Sequence, residues 1–327
     1  MTTGGKIICA AASLGLSFGA GMLAEKHQLS DSEPRSQQTD LAEANTDYTF
    51  INPLLYCQDQ NLSTKDANDM EQAVTDYIES EKDKGELIDA SFYFRDLNGG
   101  PWALVNKDFR SIPSSLLKVP VAISAYEQAE RTPSFLQQKL AYTADTGTDA
   151  EEYFAPPNQI TVGTSYTVEQ LLEHMLLDSD NEALFLLGKS LDAEDLQNSY
   201  LRLGISLPAD GNRSGYTMGV RTYASFFRVL YNGTYLSQEN SEHLLSLLSQ
   251  STFTQGLVAG LPTGTVVSHK FGEASVPDGT KRLNDCGIVY KPNQPYLVCV
   301  MTKGYDFDKL AQVISHISGA VYQMLGN

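Results

Sequence analysis

Two clusters of strand-like sequence, far apart in the chain, most constrain how it can fold. "ELIDASFYFRDLNGGPWALVNKD" reads as a hairpin, two β-rich runs joined through Asn98-Gly99-Gly100. Three further candidates, "GTVVSHKF", "DCGIVYK" and "PYLVCVMTK", come only after residue 260. Between them, from about residue 131 to 255, the sequence is mainly helical, interrupted by loops such as "TADTGTDAEEYFAPPNQ". Before the hairpin, Met70, Val74, Tyr77 and Ile78 keep helical spacing, and Gly85 can end that helix. At the other end Leu310, Val313, Ile314, Ile317, Val321 and Met324 share one helical face. The order predicts an α/β chain of the α+β kind. One five-stranded antiparallel sheet is flanked by the terminal helices, with an inserted all-α lobe beside it. The boundary between the two parts is a usual place for a cleft.

The folded part is expected at 48–327. Ahead of it, Ile7–Ala24 is an uncharged stretch, long for a signal peptide and at the short end for a membrane span. Residues 1–24 are therefore expected to be a signal peptide or an N-terminal membrane anchor, and either one exports the body. Residues 25–47 hold no aromatic and few aliphatic side chains, which predicts a flexible linker. Export makes disulfides possible. Cys9 lies in the apolar segment, leaving Cys57, Cys286 and Cys299. Cys286 and Cys299 flank "KPNQP", a turn-like stretch, and either face each other across adjacent strands or remain buried thiols. The formal net charge of −17 argues against a nucleic-acid partner, because a phosphate-binding surface needs a basic stripe. Five scattered histidines and the cysteines form no metal-ligand spacing, and nothing indicates a cofactor.

"SIPSSLLKVPVAISAY" breaks the pattern of an apolar core helix with Ser115 and Lys118, which project from one face at i and i+3. A serine hydroxyl is a poor nucleophile unless a base takes its proton. A lysine amine serves as that base only if its pKa is lowered. One Ser-x-x-Lys match is expected by chance in a chain of this length, so alone it carries little. Two further motifs follow in order: Ser179-Asp180-Asn181 after an apolar helix, and Lys270-Phe271-Gly272, read as the end of a strand.

With all three motifs and this element order, the chain from about residue 50 onward resembles the class A β-lactamase and penicillin-binding protein superfamily. The resemblance implies that Ser115 is acylated, Lys118 takes its proton, and Ser179 relays a proton to the leaving nitrogen. It implies that Asn181 binds substrate amide and holds Lys118, while Asp180 points away and fixes its loop. Lys270 and Gly272 belong to the substrate-binding strand, and Lys270 would depress the pKa of Lys118. The backbone N–H groups of Ser115 and Glu273 would form the oxyanion hole. The implied partner is a small-molecule β-lactam or a peptidoglycan peptide.

Two departures qualify that expectation. Phe271 stands where the family usually has a threonine or serine whose hydroxyl helps bind a substrate carboxylate, and Glu273 adds negative charge beside it. In addition, "LGISLPADGNRSGYTMGVRT" has no counterpart of the deacylating Glu-x-x-Leu-Asn motif. Its sole acid, Asp210, fits a turn role better. Slow deacylation follows. The alternative is a non-catalytic cell-wall-binding or interaction domain that kept the cleft. His269 is expected to pack on its strand and His174 to lie on a helix surface.

Overall fold

A computed structural model describes residues 48–53, 62–149, 152–206 and 215–326. The N-terminal segment, Cys57 and Asp210 lie outside the described residues. Helix α1, Thr64–Asp83, starts with a capping box: the Ser63 hydroxyl accepts from Asp66 N, and the Asp66 carboxylate accepts from Ser63 N. It buries Ala67, Met70, Val74 and Ile78 on one stripe. The chain leaves it through Gly85 at φ +77°, a left-handed position that glycine occupies without a Cβ penalty. Strands β1 (Asp89–Asp96) and β2 (Trp102–Val105) form the expected hairpin, with Phe92 opposite Val105.

After β3 (Arg110–Ser111), a single 3-10 turn, Ser114–Leu117, runs directly into α2, Lys118–Arg131. The lobe continues with a ribbon of β4 (Lys139–Ala141) and β5 (Ser165–Thr167), then α3 (Val168–Leu177), α4 (Asn181–Gly188) and α5 (Ala193–Arg202). Strand β6 (Met218–Gly219) pairs with β3, and α6 (Val220–Tyr231) and α7 (Gln238–Leu248) complete the lobe. Strands β7 (Val267–Ser275), β8 (Lys281–Val289) and β9 (Tyr296–Gly304) precede the last helix, α8, Phe307–Met324. The sheet order is β2-β1-β9-β8-β7, with every neighbouring pair antiparallel.

The lobe covers one face of the sheet and is more than a neighbour at its side. Phe92, Phe94, Val298 and Val300 pack with Met70, Val74 and Ile78 of α1 and Leu310, Ile314 and Ile317 of α8. The alternate residues Tyr93, Cys286, Ile288, Cys299 and Met301 belong to the core that holds Tyr223, Phe226 and Phe227 of α6. Both faces are therefore buried, which is why "SFYF" and "YLVCVM" are apolar runs and lack the alternation of a half-exposed strand. Cys286 and Cys299 stand directly opposite in the β8–β9 register, 4.0 Å apart at Cα, and form a disulfide.

Two expectations need correction. The sequence predicts a strand ending at Phe271, but β7 continues to Ser275, and the turn through Gly279 at φ +81° delivers β8 at Lys281. Lys270-Phe271-Gly272 thus sits in mid-strand. The polar ends "GEAS" and "KRLN" carry no hydrophobic signal, yet backbone pairing holds them in one hairpin. The lobe also begins earlier, with α2. Among the described residues of 132–167 there is little helix: one 3-10 turn, the β4–β5 ribbon and loop.

Candidate active site

Strand β7 is the edge of the sheet, and its outer side meets the 3-10 turn that carries Ser115. The approach is close enough to demand glycine. A Cβ on residue 272 would lie 2.6 Å from Pro113 O and 2.9 Å from Leu116 N. Ser114, just before Ser115, is held at φ +46°, and Ser179 at φ +63°. Such left-handed conformations cost a non-glycine residue on the order of 1–3 kcal/mol and tend to persist where a site constrains the chain. Here they flank the nucleophile candidate and form the Ser-Asp-Asn corner.

The corner is held by its own side chains. Asp180 is fully buried: Oδ1 accepts from Ala183 N at 2.8 Å, capping α4, and Oδ2 accepts from Ile160 N at 2.8 Å. Asp180 faces away from the cleft and ties two segments together. Asp180→Ala is expected to lower stability by about 1–3 kcal/mol, read from urea unfolding, through the lost cap and an orphaned buried N–H.

Ser115, Lys118, Glu152, Asn181, Tyr216 and Glu273 line a cleft of about 320 Å³. Behind them, both lysines converge on one hydroxyl. Lys118 Nζ donates to the Ser179 carbonyl, to Ser179 Oγ at 3.2 Å and to Asn181 Oδ1 at 2.7 Å. Lys270 Nζ donates to Ser179 Oγ at 2.9 Å and to Phe271 O at 3.0 Å. Burial lowers Lys118 to about 8, against the pull of the Glu152, Asp149 and Asp180 carboxylates. Burial also pushes Lys270 well below the ordinary lysine value, and the Lys118 charge adds to the effect. Burial is the largest cause of the lowering of Lys118, and Lys270 stands close enough to repel it. The repulsion between the two ammonium groups acts on both and favours the loss of one proton from the pair.

Three acids in the site escape a reading by motif. Glu152 Oε1 accepts from Asn181 Nδ2 at 2.8 Å, and Asp149 Oδ1 accepts from Asn181 N at 3.0 Å. Both come from "TDAEEYF", which resembles any solvated acidic loop. Glu182 locks that loop: it accepts from Tyr142 Oη and from the hydroxyls of Thr146 and Thr148. Burial raises the Glu182 pKa, but these hydrogen bonds outweigh it and hold the carboxyl at about 2.

Glu273 behaves in the opposite way. Burial pushes it up to about 8, and the neighbouring Glu152 adds to the rise. The folded state keeps a proton that the unfolded chain releases at the ordinary carboxylate value. This contribution to stability is present at low pH and is lost as pH rises through about 8. The Tm of the wild type, relative to Glu273→Gln, is expected to fall from about pH 5 to about pH 9.

Phe271 turns its ring onto Phe253, stacked at 4.0 Å, and lies beneath the Lys270 ammonium at 4.3 Å. His269 Nδ1 meets Asp285 Oδ1 at 2.9 Å in a fully buried pair, so it packs within the sheet. His174 lies half-buried on α3, with Nδ1 3.3 Å from Asn158 O. Among the described residues, no group of His, Cys, Asp and Glu is arranged to hold a metal ion.

A family model described as the beta-lactamase enzyme family matches residues 69–325, covering the sheet, the lobe and the cleft. The chain belongs to this family. In broad class it is a serine beta-lactamase-like hydrolase. Among curated relatives, the beta-lactamase VEB-1 of Pseudomonas aeruginosa is 25% identical over 210 residues, 58% of this chain and 68% of that protein. A beta-lactamase of Streptomyces lavendulae is 26% identical over 231 residues, 65% of this chain and 73% of that protein. Among solved structures, PBP-A superposes with a TM-score of 0.63 at 22% identity, covering 78% of this chain and 95% of its own. The TLA-3 extended-spectrum beta-lactamase gives 0.67 at 17% identity, covering 80% and 100%. At these identities the structural likeness establishes the fold, which the beta-lactamase family shares.

Proposed function

We propose that this protein is an exported serine hydrolase that forms an acyl-enzyme on Ser115 and deacylates slowly. Its acyl donor is a β-lactam or a D-alanyl-D-alanine-type amide. The observation that carries the reading is the convergence of two buried lysines on Ser179 Oγ behind a cleft lined by Ser115. As an ammonium, Lys118 has its three protons engaged by Ser179 and Asn181. On losing one proton it gains a lone pair that can accept the Ser115 hydroxyl proton. The Ser115 oxygen then bonds to the substrate carbonyl carbon, and the N–H groups of Ser115 and Glu273 stabilise the oxyanion. Collapse of the intermediate breaks the C–N bond. Ser179 supplies the proton to the departing nitrogen and regains one from the proton now held by Lys118.

Slow release rests on the missing glutamate motif between residues 203 and 222. Export rests on the apolar N-terminal segment, and the Cys286–Cys299 disulfide supports it, since such bonds persist in oxidising compartments. The residues ahead of 48 serve as signal or anchor followed by a linker. Phe271, packed where a hydroxyl would serve a substrate carboxylate, favours a second reading as a non-catalytic wall-binding domain.

A fluorescent penicillin separates the two. The account expects covalent labelling of the wild type and none of Ser115→Ala, with slow turnover of a chromogenic cephalosporin. Absence of both labelling and turnover would leave the binding reading.

A further inference from the structure

We propose that the cleft selects an acyl donor bearing a carboxamide or an amine beside the scissile bond, where a carboxylate is usual, and that Glu152 and Glu273 set this preference. The inference rests on the acyl-enzyme reading above and concerns which donor reaches Ser115.

The cleft has acceptors to spare and few cationic donors. Glu152 and Glu273 both line it, and among its described lining residues Lys118 is the lone cation. Lys118 directs its protons at Ser179 and Asn181. Lys270 is fully buried, bonded to Ser179 Oγ and Phe271 O, with the Phe271 ring against its remaining side. Neither ammonium is left to meet an incoming carboxylate. The hydroxyl that would help is replaced by that same ring, fixed by its stack on Phe253.

The acids are built into the site. Glu273 is 8% exposed; Oε1 accepts from Phe154 N at 3.1 Å, and Oε2 is buried without an N–H or O–H donor. Glu152 is held by Asn181, the residue that also holds Lys118. Burial and the neighbouring Glu152 carboxyl both raise the Glu273 pKa, so the two acids stand close together in the cleft wall. A substrate carboxylate would lie beside two acids with no free cation among the described lining residues to meet it, whereas an N–H donor would meet carboxyl acceptors in the cleft wall.

The test uses the full chain and four donors with the same acyl group. One ends in D-alanyl-D-alanine, one in its C-terminal carboxamide, and one in an amine analogue of that end. The fourth is a simple thioester with no group at that position. Intact-mass acylation rates are divided by each protein's own thioester rate. The carboxamide, the amine or both are expected to exceed the carboxylate by about tenfold or more, and which one leads identifies the nitrogen group taken. In Glu152→Gln/Glu273→Gln the advantage should shrink to within about threefold. If the double variant does not fold, Glu152→Gln alone should reduce it. A wild type that acylates on the carboxylate donor as fast as on the others, or a preference unmoved in the variants, overturns the inference while leaving the acyl-enzyme intact. Failure of the thioester itself to acylate Ser115 overturns both.

Discussion

Lys118→Ala is expected to slow acylation of Ser115 by about 10²–10⁴-fold, the range for removal of a positioned general base. The argument is one of burial. Lys118 is 1% exposed, and removal from water lowers it to about 8 although three carboxylates pull the other way. Below that value the amine holds a proton and cannot accept one from Ser115. Wild-type acylation should therefore rise about tenfold per pH unit on the acid side and level off above about 8. Lys118→Met, which keeps most of the buried volume, should show the same loss and no such rise. A flat wild-type profile between about pH 6 and about pH 9 would remove Lys118 from the role of base.

The second large effect is expected at a residue without a side chain. Gly272→Ala should reduce acylation by about 10²–10³-fold, the range for loss of an oxyanion donor. The alanine Cβ would sit 2.6 Å from Pro113 O and 2.9 Å from Leu116 N, and both are backbone atoms of the turn that carries Ser115. Nothing flexible can give way, so strand and turn must separate. The separation moves the N–H of Glu273 away from that of Ser115. The loss should fall on the acylation rate more than on Tm, since the sheet core remains packed. A variant that acylates at the wild-type rate would show that the close approach is not needed.

The sheet was legible because its strands are apolar runs with clear turn signals. The Asn98-Gly99-Gly100 hairpin and "PYLVCVMTK" both take their predicted places. The continuation of β7 past Gly272 was not legible, since Gly272, Glu273, Ala274 and Ser275 owe their strand conformation to pairing with β8. The two short ribbons were missed for the same reason: two or three residues carry no period. In the site, motifs pointed to Ser115, Lys118, Ser179, Asn181, Lys270 and Gly272; the fold sets Ser115, Lys118 and Asn181 along the cleft, Ser179 and Lys270 behind it, and Gly272 against the Ser115 turn. Glu152, Asp149 and Glu182 were not found. Asp149 and Glu152 in an acidic loop, and Glu182 in the first turn of a helix, look solvated until tertiary structure sets them against Asn181 or a pair of threonines.

The most direct test follows the mass of the intact protein over time after mixing with penicillin G. The account predicts a wild-type species heavier by one whole penicillin, mapping to the peptide that holds Ser115 and persisting through many minutes. Ser115→Ala should remain at its starting mass. A wild type that gains no mass and consumes no penicillin would contradict the proposed β-lactam acyl-enzyme. A wild type that consumes penicillin rapidly without holding an adduct would contradict slow deacylation.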